Sequence, residues 1–206
     1  MTEKTVFIVD DDLDMRTSLR WLIESIGCNV ETFGSAEEFL EAGKVDQPGC
    51  LILDVRMPGM GGIRLLEHMR KTESRLPTII LTGHGEISMA VQTMKSGAFD
   101  FLEKPASPQV ILERVRDALR LDAEMRETIK DQRAFSEKIG LLTRREKEVL
   151  DHLTAGESTR IVAEKLFISE RTIEKHRERI LHKMASHSMI ELIRQMIEFR
   201  GNETRR

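Results

Sequence analysis

Within the first 120 or so residues, short β-branched runs alternate five times with amphipathic helical patterns, and nothing else in the chain restricts its fold as strongly. TVFIV (5–9), CNVETF (28–33), CLIL (50–53), PTIIL (77–81) and AFDFL (98–102) read as strands. Between them, Met15, Leu19, Leu22, Ile23 and Ile26 recur at helical spacing up to Gly27, and Ser35-Ala-Glu-Glu38 is a capping box opening a second helix. Further helices are expected over 62–71, over 86–96 before Gly97, and from Ser107 onward. Strands joined through helices in this way need right-handed crossovers, so the sheet is parallel and covered on both faces. The expected fold is a doubly wound five-stranded α/β domain.

The strands are used up near residue 103, in a chain of 206 residues that has room for a second domain. The last helix of the sheet domain does not stop where that domain needs it to. It runs on through ERVRDALRLDAEMRETIKDQR, too charged for burial and free of Gly or Pro, so 123–139 reads as a rigid helical connector following a domain at 1–122. From 140 to 206 only helical patterns remain: a capping box at Thr143-Arg-Arg-Glu146, then Ser158–Leu166, Ser169–Met184 and Met189–Phe199. Four short helices with a tight turn between the second and third suit a helix-turn-helix unit.

Charge separates the two parts. Residues 1–139 carry 18 Lys and Arg against 24 Asp and Glu, whereas 140–206 carry 14 against 11 and four of the six histidines. A basic half beside an acidic one makes nucleic acid a candidate partner for the second. Cys28 and Cys50 sit in apolar runs and are too few for a disulfide scaffold or zinc cage, which points to reduced core residues and a cytoplasmic setting. No apolar run has the length of a membrane span, and MTEKTVFIVDDD lacks the build of a signal peptide.

In open α/β sheets the chemistry gathers outside the carboxyl ends of the strands. Those ends carry Asp10-Asp11-Asp12, Asp54, Thr82 and Lys104-Pro105. Clustered carboxylates repel one another in a crevice unless a cation sits among them, and a hard divalent ion such as Mg²⁺, with Mn²⁺ as a substitute, matches an all-oxygen donor set. Lys104 adds a compact positive charge and Thr82 a hydroxyl, which makes an anion site beside a metal, as a phosphoryl group requires. An acidic run after a strand can also simply serve a helix N-terminus, the role preferred for Asp12 and Asp14.

Taken together, VDDD (9–12), LDVRMPGMGG (53–62), LTGHGE (81–86), KSGAFDFLEKP (95–105), LTRREKEVL (142–150) and SERTIEKHRERILHKM (169–184) make the whole chain resemble a FixJ-type two-component response regulator. The resemblance implies a receiver domain with strand order 2-1-3-4-5, followed by a LuxR/NarL-type DNA-binding domain. It implies that Asp54 accepts a phosphoryl group from a sensor histidine kinase. It further implies that Asp10, Asp11, Asp54 and the backbone carbonyl of Arg56 hold Mg²⁺, that Thr82 and Lys104 bind the phosphoryl oxygens, and that the Lys104–Pro105 bond is cis. Thr82 and Phe101 would be the moving parts of the switch. Phosphorylation would drive homodimerisation through the helix 86–96 and the strand 98–102, with Val91 and Lys95 at the interface, and RNA polymerase would be a downstream partner. The protein would be a switch and not a turnover enzyme, limited to self-phosphorylation from small donors and slow autodephosphorylation. Ala106, where relatives often carry a bulkier residue, and Thr159-Arg160, where they commonly have Asn-Lys, depart from the pattern.

On a helical wheel of 170–184, Ile173, Ile180 and Met184 share one face, while Arg171, Lys175, Glu178, Arg179 and His182 lie opposite. In a helix-turn-helix this segment enters the major groove. Base contacts are expected from Arg171, Glu174, Lys175 and Glu178, and phosphate contacts from Thr159, Arg160, Ser169, Thr172, His176, Arg179 and Lys183. Arg177, nearer the apolar side, suits a structural role as well as DNA contact. So small a domain binds weakly alone, so two copies on promoter half-sites are expected. The last helix bears two apolar stripes, Ile190, Ile193, Ile197 and Leu192, Met196, Phe199, and the second is taken as the dimer face. Competing readings are a Mg²⁺-dependent phosphohydrolase of haloacid-dehalogenase type, for which Asp10-Asp-Asp12-Leu-Asp14 ends in the wrong residue, and a protein-binding role for the basic unit.

Overall fold

A computed structural model describes residues 4–83 and 87–203. Five strands, β1 (Thr5–Val9), β2 (Asn29–Phe33), β3 (Gly49–Leu53), β4 (Thr78–Thr82) and β5 (Asp100–Glu103), form one parallel sheet in the order 2-1-3-4-5. Successive strand residues point to opposite faces, so the central strands of a sheet covered twice are apolar at nearly every position, while the edge strands β2 and β5 keep polar residues such as Glu31 and Asp100. Phe7 and Val9 of β1 enter one core with Phe39, Leu65 and Met69, whereas Val6 and Ile8 enter the other with Leu19, Ile23, Ile111 and Val115. The first core lies under α2 (Ala36–Glu41) and α3 (Gly62–Lys71), the second under α1 (Leu13–Glu24) and α5 (Pro108–Gly140). Truncating a fully buried member such as Ile23 or Leu65 to Ala would cost about 2–5 kcal/mol.

Local signals act as the sequence predicts. Ser35 caps α2 by accepting from the Glu38 amide at 3.1 Å, but the Glu38 carboxylate accepts from Gly34 N at 2.6 Å, one residue before the cap, so the expected box is made in its first half only. Ser107 caps α5 through Val110 N. α4 covers Ile87–Lys95; the start expected at Glu86 lies outside the described residues, as do part of LTGHGE and both chain ends. Cys50 is buried and Cys28 half-buried, both free, and burial pushes the Cys50 thiol up, away from reactive thiolate.

The chain divides into two compact units, Met1–Arg126 and Glu127–Arg206, and α5 is one helix across that division. In the second unit, α6 (Arg144–Thr154), α7 (Thr159–Leu166), α8 (Glu170–Met184) and α9 (Met189–Glu203) enclose Val149, Leu150, Val162, Ile173, Ile180 and Leu192. Phe135 and Ile139 of α5 pack on this core. The end of the expected connector therefore belongs to the second unit's own packing. Thr143 and Glu146 form the reciprocal capping box at the start of α6. Among the described residues, no helix is long and apolar enough to cross a membrane.

Candidate functional site

Strand register assembles the acid pocket. Val9 pairs with Leu53, so Asp10 and Asp54 emerge side by side; the Asp54 amide donates to Val9 O at 2.9 Å. Thr82 pairs with Glu103, which brings Lys104 to the same rim, its amide on Thr82 O at 2.8 Å. Asp10 and Asp54 are only 3% and 7% exposed, and Asp11 is exposed. Gly62 allows α3 to begin against this strand end, because a Cβ there would lie 2.1 Å from the Asp54 carbonyl oxygen. The Lys104–Pro105 bond is cis.

Each polar group has a distinct task. Asp12 is spent on capping α1, accepting from Asp14 N at 2.9 Å and Met15 N at 3.2 Å. Asp10 accepts from Asp12 N at 2.9 Å and from Lys104 Nζ at 2.7 Å, and its carbonyl accepts from Arg16 Nη1 at 2.6 Å. Lys104 Nζ stands 3.6 Å from Asp54 Oδ1, an ion pair too long for a hydrogen bond. Asp54 Oδ1 and Thr82 Oγ1 are both buried with no hydrogen-bond partner among the described residues. Burial pushes the Asp54 carboxyl above its ordinary 3.8; Lys104 opposes that and the Asp10 carboxylate adds to it.

Carboxylate oxygens of Asp10, Asp11 and Asp54 lie within 4.8 Å of one another. Ligands around an ion at ~2.1 Å stand about 3–4 Å apart, so an all-oxygen set at this spacing, with one orphaned carboxylate oxygen, fits a hard divalent ion. Arg56, two residues past Asp54, turns its side chain to solvent. Phe101 is half-buried against the core that holds Phe7 and Val9. Val91 and Lys95 both lie exposed on α4, with Met94 between them. A hollow of about 720 Å³ between Thr5, Glu24, Asn29 and Gln47 opens at the amino ends of the strands, away from these groups.

In the second unit, Ser169 caps α8 through Thr172 N, and Ile173, Ile180 and Met184 are buried as the wheel predicts. Arg171, Lys175, Glu178 and Arg179 face solvent on α8, as does Arg160 on α7. Glu174 is exposed on α8 as well, and its carboxylate accepts from Arg177 Nη1 at 2.7 Å and from Thr159 Oγ1 at 3.4 Å. Arg177 Nη1 also reaches Thr159 Oγ1 at 3.3 Å, so this side chain links α7 to α8. His176 is half-buried, its Nδ1 without a partner among the described residues.

Two expectations need correction. Lys183, expected on DNA phosphate, reaches inward instead, with Nζ 2.7 Å from the buried Glu146 carboxylate and 3.2 Å from Leu141 O. Burial alone would raise the Glu146 carboxyl, but bonds from Lys183 and Thr143 hold it below the usual range. Lys183→Ala should therefore destabilise this unit by roughly 3 kcal/mol, since a buried carboxylate loses its partner, and calorimetry of the full chain would read it. A lysine that only touched DNA would leave the thermal transition unmoved. The second correction concerns α9. Leu192 and Met196 are buried in the domain core, and Phe199 packs on Phe135 with ring centroids 5.2 Å apart. That stripe faces inward because Met189, Leu192, Ile193 and Met196 follow the three-four spacing of the core seam. Ile190 and Ile197, 83% and 57% exposed, are the apolar residues left outside. Both stripes are wholly apolar, so no polar residue in the sequence marks which of them is covered.

Residues 6–116 match the family model for the response regulator receiver domain, and residues 140–196 match that for bacterial regulatory proteins of the luxR family. The chain belongs to the response regulators that join a receiver to a LuxR-type DNA-binding domain, a class of transcriptional regulators. Among its relatives, the transcriptional regulatory protein TdiR of Thauera aromatica is 40% identical over 92% of this chain and 83% of its own length. The transcriptional regulatory protein FixJ of Bradyrhizobium diazoefficiens is 38% identical over 94% of each chain. The solved structure of the response regulator StyR, 39% identical, aligns over 96% of this chain and all of its own with a TM-score of 0.86.

Proposed function

We propose that Asp54 is the phosphoacceptor of a histidine-kinase signalling pair. An Asp54 carboxylate oxygen attacks the phosphorus of a phosphohistidine on the kinase; the new O–P bond forms as the P–N bond breaks, and the imidazole leaves with the electron pair. The carrying observation is the pair of orphaned buried atoms, Asp54 Oδ1 and Thr82 Oγ1, beside the Lys104 ammonium. Burial and neighbouring charge keep such groups unpaired only at a cost, which an incoming anion and cation remove. Lys104 and Thr82 take the phosphoryl oxygens, while Asp10, Asp11, Asp54 and the Arg56 carbonyl would hold Mg²⁺, which supplies charge neutralisation for the transferring group. Self-phosphorylation from small acyl phosphates and slow hydrolysis follow from the same geometry.

Thr82 and the half-buried Phe101 form the switch, in a receiver of about residues 1–122, and 123–139 carries its state onward. The phosphorylated protein pairs with a second copy across α4, with Val91 and Lys95 in the contact, and across the α9 face bearing Ile190 and Ile197. Arg171, Lys175 and Glu178 read bases in a promoter, and Arg160, Thr159, Ser169, Thr172, His176 and Arg179 meet phosphates. The dimer then acts on transcription through RNA polymerase in the cytoplasm. Titrating Mg²⁺ and then beryllofluoride, a phosphoryl mimic, into the full chain should shift the amide resonances of residues 10–12, 54–56, 82 and 104. Spectra that stay unchanged through both titrations would overturn the assignment.

A further inference from the structure

The stripe that seats α5 on the sheet runs Ile111, Val115, Ala118, Leu119, and its next member is a carboxylate, Asp122, only 4% exposed. Helical spacing asks for another apolar residue here. Asp122 Oδ2 accepts from Gly49 N at 2.9 Å, and both its oxygens accept from Arg126 Nε, at 2.8 and 2.9 Å. Arg126 Nη2 in turn donates to Gln47 O at 2.7 Å. One residue pair thus holds both the first amide of β3 and the turn before it. Gly49 cannot give way, since a Cβ there would stand 2.0 Å from Thr5 O.

The placement is as telling as the bonds. Asp122 is the last fully buried side chain of α5, the first compact unit ends at Arg126, and the same helix continues to Gly140. An ion pair whose carboxylate is buried is not the stable choice for packing alone, because desolvation offsets much of the attraction and an apolar residue at that position does as well or better. What the pair supplies is direction: two fixed donors and two fixed acceptors allow one orientation of the helix against β3, where Leu–Leu packing allows several. β3 is also the strand whose other end is Asp54.

We propose that Asp122 and Arg126 are positioning residues for signal output, a latch that fixes the path of α5 as it leaves the sheet and ties it to the strand of the phosphoacceptor. The purpose of the latch rests on the function proposed above; its geometry does not. The test is hydrogen exchange of the full-length chain, comparing wild type with Asp122→Asn and Arg126→Gln. Amides of residues 123–130 and 46–49 should exchange at least about ten-fold faster in both variants, with β1, α1 and α3 little changed. Arg126 is one-third exposed, so its variant keeps the test open if Asp122→Asn does not fold. Equal protection of residues 123–130 in wild type and variant would overturn the latch, and so would a loss of protection spread evenly over β1, α1 and α3. Labelling of each chain by acetyl phosphate, measured in parallel, reports on the pocket separately: a wild type that takes no label counts against the proposed function and leaves the latch standing.

Discussion

Asp54→Asn should lose Mg²⁺-dependent labelling by acetyl phosphate altogether and yet make the metal-free receiver more stable. The first effect follows because an amide has no carboxylate oxygen to attack phosphorus. The second follows from the position of the carboxyl, buried, near Asp10 and with Oδ1 unpaired. Its native pKa lies above the ordinary 3.8, so the native state binds a proton more readily than the unfolded chain, and the ionised group opposes folding at neutral pH. That penalty shrinks as pH falls through the raised native value and vanishes below about 3.8, where both states are protonated. The gain of the Asn variant should accordingly be largest near neutrality, about 1 kcal/mol or a few degrees in Tm, and fade on acidification. Mg²⁺ should reverse the order, because it stabilises the protein with the intact carboxylate set. Differential scanning calorimetry at several pH values, with and without Mg²⁺, checks all of this.

Replacing Arg171, Lys175 and Arg179 together by Ala should weaken binding to a mixed-sequence duplex at low salt by about a hundredfold or more, with the thermal transition of the second unit nearly unchanged. All three are exposed on the α8 face opposite Ile173, Ile180 and Met184, and no salt bridge is formed by any of them among the described residues. Arg179→Ala alone should flatten the plot of log affinity against log salt by ~0.9, the signature of one lost phosphate contact. Lys183→Ala should behave in the opposite manner, unfolding earlier with an unchanged salt slope, because Lys183 is committed to Glu146. Fluorescence anisotropy over a salt series separates the two lysine and arginine roles.

Much of this was readable from residue order because each signal was local. The strands and helices fell where β-branched runs, capping boxes and helix-stopping glycines put them, and β3 came within a residue of its expected span. Parallel pairing then forced Asp10, Asp54, Thr82 and Lys104 to one edge, so the pocket followed from topology. What stayed hidden were pairings across long sequence distance. Nothing in the neighbourhood of Lys183 marks it as the partner of Glu146, and Asp122 looks like one more charge in a charged helix until Gly49, 73 residues earlier, is seen against it. The direction of α9 was hidden for another reason: both of its stripes are wholly apolar, and the presence of Phe135 and the α6–α8 core decides which one is covered.

One nucleophile, Asp54, carries the proposed chemistry. Incubating the full chain with Mg²⁺ and acetyl phosphate, reducing the acyl phosphate with borohydride and sequencing the peptides by mass spectrometry locates it, since an aspartyl phosphate is reduced to homoserine. Homoserine at position 54 alone is the predicted result. Conversion at Asp10 or Asp11 instead, or an unmodified Asp54 in a protein that has taken up phosphate, would contradict it.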